Sequence, residues 1–126
     1  MSKKISPLKL AKYIANLSSK KKAKDILVLD IKKICSFCDY FVIMTGLADV
    51  HIKSLTEQIV LSVKKEFNKI PHHIEGEKYN RWVIIDYIDV VVHIMNEEAR
   101  EFYALEKIWS KGKIIRYDRK DKKNTK

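Results

Sequence analysis

The sequence predicts an α/β domain in which a mixed β-sheet of about five strands is flanked by helices. Three observations carry that prediction. Uninterrupted apolar runs at Tyr40–Thr45, Trp82–Ile85 and Val90–Val92 show no polar alternation, as core strands covered on both faces do. From Asp49 the spacing is helical instead, with Ile52, Leu55, Ile59, Val63 and Phe67 on one stripe. The two patterns alternate along the chain, and that order belongs to sheets packed with helices.

Ser6 followed by Pro7 begins the first helix, with a capping hydroxyl and a residue suited to the first helical position. Leu10, Ala11, Ile14 and Leu17 give it one apolar face, and it ends near the Lys20–Lys22 run. Ile26–Ile31 reads as a strand, Cys35–Asp39 as a loop, and Tyr40–Thr45 as a buried strand ending at Gly46. The helix from Asp49 stops before Pro71, and His72–Glu75 can form a short strand before a turn at Gly76. A hairpin then joins Trp82–Ile85 to Val90–Val92 through an acidic corner containing Asp86, Tyr87 and Asp89. Asn96 caps a last helix whose first turn carries Glu97 and Glu98, where the helix dipole favours negative charge. Phe102, Leu105 and Trp109 lie along one face of that helix, Gly112 stops it, and Ile114-Ile115 gives a short extended piece.

A length of 126 residues suits one domain with a single core. The net charge of +10 suggests nucleic acid, but its distribution changes the meaning. Residues 1–24 carry eight lysines and no acid, residues 25–110 carry ten basic and fourteen acidic groups, and residues 111–126 carry eight basic and two acidic groups. The organisation is therefore a basic N-terminal segment with the first helix (1–24), a mildly acidic α/β body (25–110), and a basic C-terminal tail (111–126), disordered beyond Arg119. Lysine outnumbers arginine 22 to 4, so compositional bias explains the ends as readily as phosphate contact does. No apolar segment approaches the roughly 20 residues that span a bilayer, and the first residues lack the apolar block of a secretory signal. A soluble cytoplasmic protein without membrane contact is expected.

Cys35 and Cys38 have redox spacing, but no second pair completes a zinc site, and His72, His73 and Glu75 offer metal donors without a fourth group. Neither is read as a functional site, and no metal or cofactor is expected. His93 interrupts a buried strand and reads as a hydrogen-bonded structural histidine. Trp82, Tyr87, Tyr103 and Trp109 are candidate interface anchors, because large aromatics dominate binding hot spots when exposed. Core packing is the competing reading: it is preferred for Trp109, while both stay open for Trp82 and Tyr87.

Four separated blocks then point to a family. Asp39-Tyr-Phe-Val-Ile-Met-Thr-Gly46 with His51 five positions on, Glu75-Gly76, Trp82-Val-Ile-Ile-Asp86-Tyr-Ile-Asp89-Val-Val-Val-His93, and Arg100-Glu-Phe-Tyr103-Ala-Leu-Glu106-Lys-Ile-Trp109 closely resemble the ribosomal silencing factor, or Iojap-like, family over about residues 7–110. The resemblance implies a non-enzymatic protein that binds the large ribosomal subunit through its fourteenth ribosomal protein. It also implies that joining of the small subunit is blocked, repressing translation when nutrients are short. The family usually has Gly where this chain has Ile88, and Ser or Thr where it has Ala48. A β-branched residue resists the positive φ that Gly supplies in a tight hairpin, and Ala48 leaves Asp49 as the candidate cap of the second helix.

The family's fold is similar to that of nucleotidyltransferases, which makes Asp86 and Asp89 look like a metal or acid–base pair. Those enzymes resemble one another in a Gly-Ser turn followed by an Asp-x-Asp strand that holds Mg²⁺. Here Leu47 follows Gly46, and no Asp-x-Asp or Glu-x-Asp strand lies downstream, so the topology is expected without the active site. An acidic corner touching a basic ribosomal protein is preferred, with plain turn chemistry as the alternative. The expected partner-binding residues are Trp82, Asp86, Tyr87, Asp89 and Tyr103, the Lys-rich ends can add contact to rRNA, and a homodimer of the free protein is left open. The rivals are a generic RNA-binding module, testable by salt-dependent binding to naked RNA, and a nucleotidyltransferase-related enzyme, testable by calorimetry with Mg-nucleotide.

Overall fold

A computed structural model describes residues 5–108 and 111–118. The first helix, α1 (Pro7–Lys20), starts where the sequence places it: the Ser6 hydroxyl accepts from the Lys9 backbone N–H at 3.2 Å, and Pro7 follows. β1 (Lys24–Asp30) and β2 (Tyr40–Thr45) are joined by the Cys-containing loop, and α2 (Asp49–Phe67) leads to β3 (His73–Glu75). β4 (Trp82–Asp86) and β5 (Val90–Met95) form the predicted hairpin, and α3 (Glu97–Tyr103), α4 (Leu105–Ile108) and β6 (Lys113–Asp118) complete the order.

The sheet order is β3-β4-β5-β2-β1-β6, with β2 and β5 parallel and every other neighbouring pair antiparallel. The α/β class and the mixed sheet are as expected. The sheet has six strands instead of about five, because Lys113–Asp118 pairs with β1 along one edge. The short apolar doublet Ile114-Ile115, set among charged residues, understates a strand whose hydrogen bonds come from a distant partner.

Helices α1 and α2 cover one face of the sheet, where Ile14, Val28, Val42, Ile59 and Ile85 share the larger core cluster. The other face carries Leu29, Phe41, Ile43, Val91 and Met95, roofed by Cys35 and Cys38 of the β1–β2 loop and by Leu105. β2 and β5 are thus buried throughout. β4 is not, contrary to the expectation of two covered faces: Val83 and Ile85 are buried while Trp82, Ile84 and Asp86 are half-exposed. The roof on the second face stops short of β4, leaving that strand's outer row open.

Two helix boundaries also differ from expectation. Asp49 is the first residue of α2, not its cap; Ala48 holds the cap position in extended backbone without a side-chain hydrogen bond. Asp49 Oδ1 accepts from the Val50 N–H of the first turn at 3.0 Å, while His51 braces the loop before the helix: its Nδ1 accepts from the Leu47 N–H at 2.9 Å and its Nε2–H donates to the Lys21 carbonyl at 2.8 Å. The last helix divides at Ala104, which adopts the left-handed conformation at φ 45°. Leu105 consequently turns inward while Phe102 is 78 % exposed, so the two do not share one buried face. Trp109 lies outside the described residues, as does the segment beyond Asp118.

Candidate partner-binding site

The period of two along β4 decides which of the predicted residues meet. Trp82, Ile84 and Asp86 project from one face; Val83, Ile85 and, continuing the alternation, Tyr87 project from the other. Tyr87 is accordingly 2 % exposed within the core beneath α1 and α2, and burial pushes its phenol pKa upward. It is a packing residue here, not a surface anchor. Asp86 shares the face of Trp82 but sits four residues along, about 13 Å away at strand spacing. The predicted single corner is thus two ends of one open row.

At the far end of that row is the acidic turn. Asp86 Oδ1 accepts from the Ile88 N–H at 2.7 Å, and Oδ2 lies 3.8 Å from His73 Nδ1 on the neighbouring strand. Asp86 therefore holds the turn and a cross-strand pair. Asp89 is exposed at its side chain, while its carbonyl accepts from the Asp39 and Tyr40 N–H groups. Between the two carboxylates, Ile88 takes φ 74°, the left-handed conformation that a glycine would adopt freely. The corner keeps its tight geometry despite the β-branched residue.

The near end is aromatic. The Trp82 and Tyr103 rings stack obliquely with centroids 4.6 Å apart, and Phe102 meets Tyr103 edge-on at 4.9 Å. Asn96 positions α3, and hence both rings, by accepting from the Ala99 N–H at 2.7 Å, as the sequence predicts. A buried contact between Arg100 Nη1 and Thr45 Oγ1 at 2.9 Å ties the same helix to the end of β2. The rings and Ala99 border a cleft of about 380 Å³ whose polar rim includes Arg81, Asn96 and Glu98. The sequence places Glu98 only in the first turn of the helix and Phe102 on its apolar face, because a continuous helix would turn Phe102 inward.

Beneath the rings, Trp82 Nε1–H donates to His93 Nδ1 at 3.1 Å, so the imidazole proton must reside on Nε2. Phe41 packs against the same imidazole with centroids 4.6 Å apart. Burial holds the His93 pKa down to about 4, which keeps the ring neutral and the acceptor available to the indole. Trp82 is thus oriented from below while it borders the cleft, half-exposed, which suits an anchor held in place before a partner arrives.

Elsewhere, Cys35 and Cys38 are buried free thiols with sulfurs 3.8 Å apart, and burial together with the neighbouring Cys35 pushes the Cys38 pKa up to about 12. His73 Nε2 pairs with Glu75 Oε2 at 3.0 Å. Among the described residues, no group of three or more His, Cys, Asp and Glu is placed to hold a metal ion. Among them also, no helix is long and apolar enough to cross a membrane.

Fold and surface together define an α/β protein that presents an oriented aromatic face beside an incompletely roofed sheet. A family model described as ribosomal silencing factor during starvation matches residues 4–126, and the chain belongs to that family. The ribosomal silencing factor of Bacillus subtilis is 32 % identical over 109 residues, covering 86 % of this chain and 92 % of that one. A mouse protein named for mitochondrial assembly of the ribosomal large subunit is 31 % identical over 99 residues, covering 77 % of this chain and 43 % of that one. A crystal structure of a Chromobacterium violaceum protein superposes with a TM-score of 0.80 at 25 % identity, covering 97 % of this chain and all of that one.

Proposed function

We propose that this protein is a ribosome-associated silencing factor that binds the large ribosomal subunit through its fourteenth ribosomal protein. By occupying that surface it sterically blocks joining of the small subunit and represses translation under nutrient limitation. Membership of the silencing-factor family supports the ribosomal target, and the name of the mouse relative supports the large subunit. The observation that carries the contact is the pre-oriented Trp82–Tyr103–Phe102 cluster, with Tyr103 47 % and Phe102 78 % exposed. Rings of this kind supply most of the energy of an interface when they are desolvated. A body of this length has a radius of gyration of about 14 Å, enough to hold two docking faces apart.

In this reading the open row of β4 supplies the rest of the contact. Trp82 and Tyr103 form its apolar centre, and exposed Asp89 attracts a basic partner from the rim, with Asp86 keeping the turn in shape. Tyr87 supports the row from the core. The activity is binding and obstruction, not catalysis, and its setting is the cytoplasm. The Lys-rich ends add salt-dependent attraction to rRNA. Co-sedimentation with separated subunits tests the reading: the protein should pellet with the large subunit and not the small. Tyr103→Ser, at a half-exposed position, should weaken that association tenfold or more with little change in melting. Equal affinity of wild type and variant would remove the aromatic cluster from the contact.

A further inference from the structure

Antiparallel pairing of β6 with β1 sets Asp30 opposite Lys113 and so joins two segments some eighty residues apart. Lys32 and Lys33 follow β1, and Lys111 precedes β6; with Lys113 these four lysines line a cleft of about 220 Å³. Among the described residues that line it, Asp30 is the single acidic one and Ile34 the single apolar side chain. Lys32 is fixed: its Nζ donates to the Tyr40 hydroxyl at 2.9 Å and lies 3.5 Å from Asp30 Oδ2. Lys33, Lys111 and Lys113 are exposed and make no ion pair among the described residues. Asp30 offsets one positive charge of four, leaving three.

We infer that this cleft binds the phosphodiester backbone of RNA. Its volume is below that of pockets for drug-sized ligands and suits one or two phosphate groups better than a whole nucleotide. Among the described residues its lining has no aromatic face on which a base could stack, so the contact follows charge and not sequence. A lipid surface would carry phosphate too, but peripheral membrane binding needs an apolar anchor, and Ile34 alone is a poor one. The cleft lies at the Asp30–Tyr40 end of the sheet, whereas the aromatic cluster lies at the Thr45–Met95 end. With six residues of β5 between the ends, about 17 Å, the two surfaces reach different parts of one large partner. The inference rests on the ribosome-binding reading for the source of the RNA.

Anisotropy of a labelled single-stranded RNA, titrated with the full chain over a salt series, tests it. The triple variant Lys33→Gln, Lys111→Gln, Lys113→Gln should flatten the slope of log K against log salt by roughly two units. A control that removes the same charge from α2, outside both Lys-rich ends, Lys53→Gln, Lys64→Gln, Lys65→Gln, should change it by less than half as much. Because Lys113 lies in a strand, the double variant Lys33→Gln, Lys111→Gln serves if the triple melts early, with roughly 1.4 units expected. An unchanged slope in the cleft variants, or an equal loss in the control, overturns the inference. So does loss of binding to phosphatidylserine vesicles with the RNA slope intact, which would assign the cleft to lipid. Failure of the protein to sediment with large subunits, with the RNA result as expected, would overturn the ribosomal reading and leave the cleft standing.

Discussion

Acidification should expose the burial of His93 as a loss of stability. In the unfolded chain the imidazole titrates near 6.5; in the fold burial holds it down to about 4. Between those values the unfolded state takes up a proton that the folded state refuses, so stability falls as pH falls. The contribution is whole above about 6.5, declines by about 1.4 kcal/mol per unit, and is gone near 4, a total of roughly 3 kcal/mol. Protonation would also remove the acceptor that holds the Trp82 indole. Urea unfolding of wild type and His93→Gln at pH 6.5 and pH 5 isolates this group, since glutamine keeps an acceptor but does not titrate. Wild type should lose about 2 kcal/mol more than the variant over that interval. Parallel pH dependences would refute a buried neutral imidazole at this position.

Other outcomes follow from the same geometry. Ile88→Asn should raise stability by about 1 kcal/mol in thermal unfolding, because Asn accepts the left-handed conformation at a 56 % exposed site where isoleucine is strained. Ala48→Ser should stabilise α2 by about 0.5–1 kcal/mol by adding the missing cap, and no gain in urea unfolding would show that the Asp49 carboxylate, which accepts from the Val50 N–H, already fulfils that role. Asp89→Lys should leave melting unchanged but slow association with large subunits several-fold, most at low salt, by stopped-flow mixing. Deleting residues 120–126, which removes four lysines and one aspartate, should weaken binding at low salt far more than at high salt.

Local signals explain what the sequence made legible. Ser6-Pro7 and Asn96 carry their own capping chemistry, and Tyr40–Met44 is an unbroken run of large apolar and aromatic residues because both faces are covered. What was hidden depends on partners far away or on one backbone angle. β6 owes its existence to β1, and its own residues alternate too weakly to announce it. Ala104 turns left-handed without glycine, which splits the last helix and exposes Phe102. Tyr87 illustrates a different failure: its parity with Val83 and Ile85 already placed it on the helix-covered face, but composition suggested a cluster with Asp86 and Asp89. Trp82 and Tyr103 are brought together only by the docking of α3 on the sheet, through Asn96 and the Arg100–Thr45 contact.

In the proposed function, the docked protein keeps the subunits apart. Purified large subunits incubated with excess protein, then mixed with small subunits at a magnesium concentration that favours association, report joining directly through light scattering. The rise in scattering should be suppressed in proportion to occupancy of the large subunit and restored by Tyr103→Ser. A full scattering rise at concentrations where the protein saturates the large subunit would contradict it.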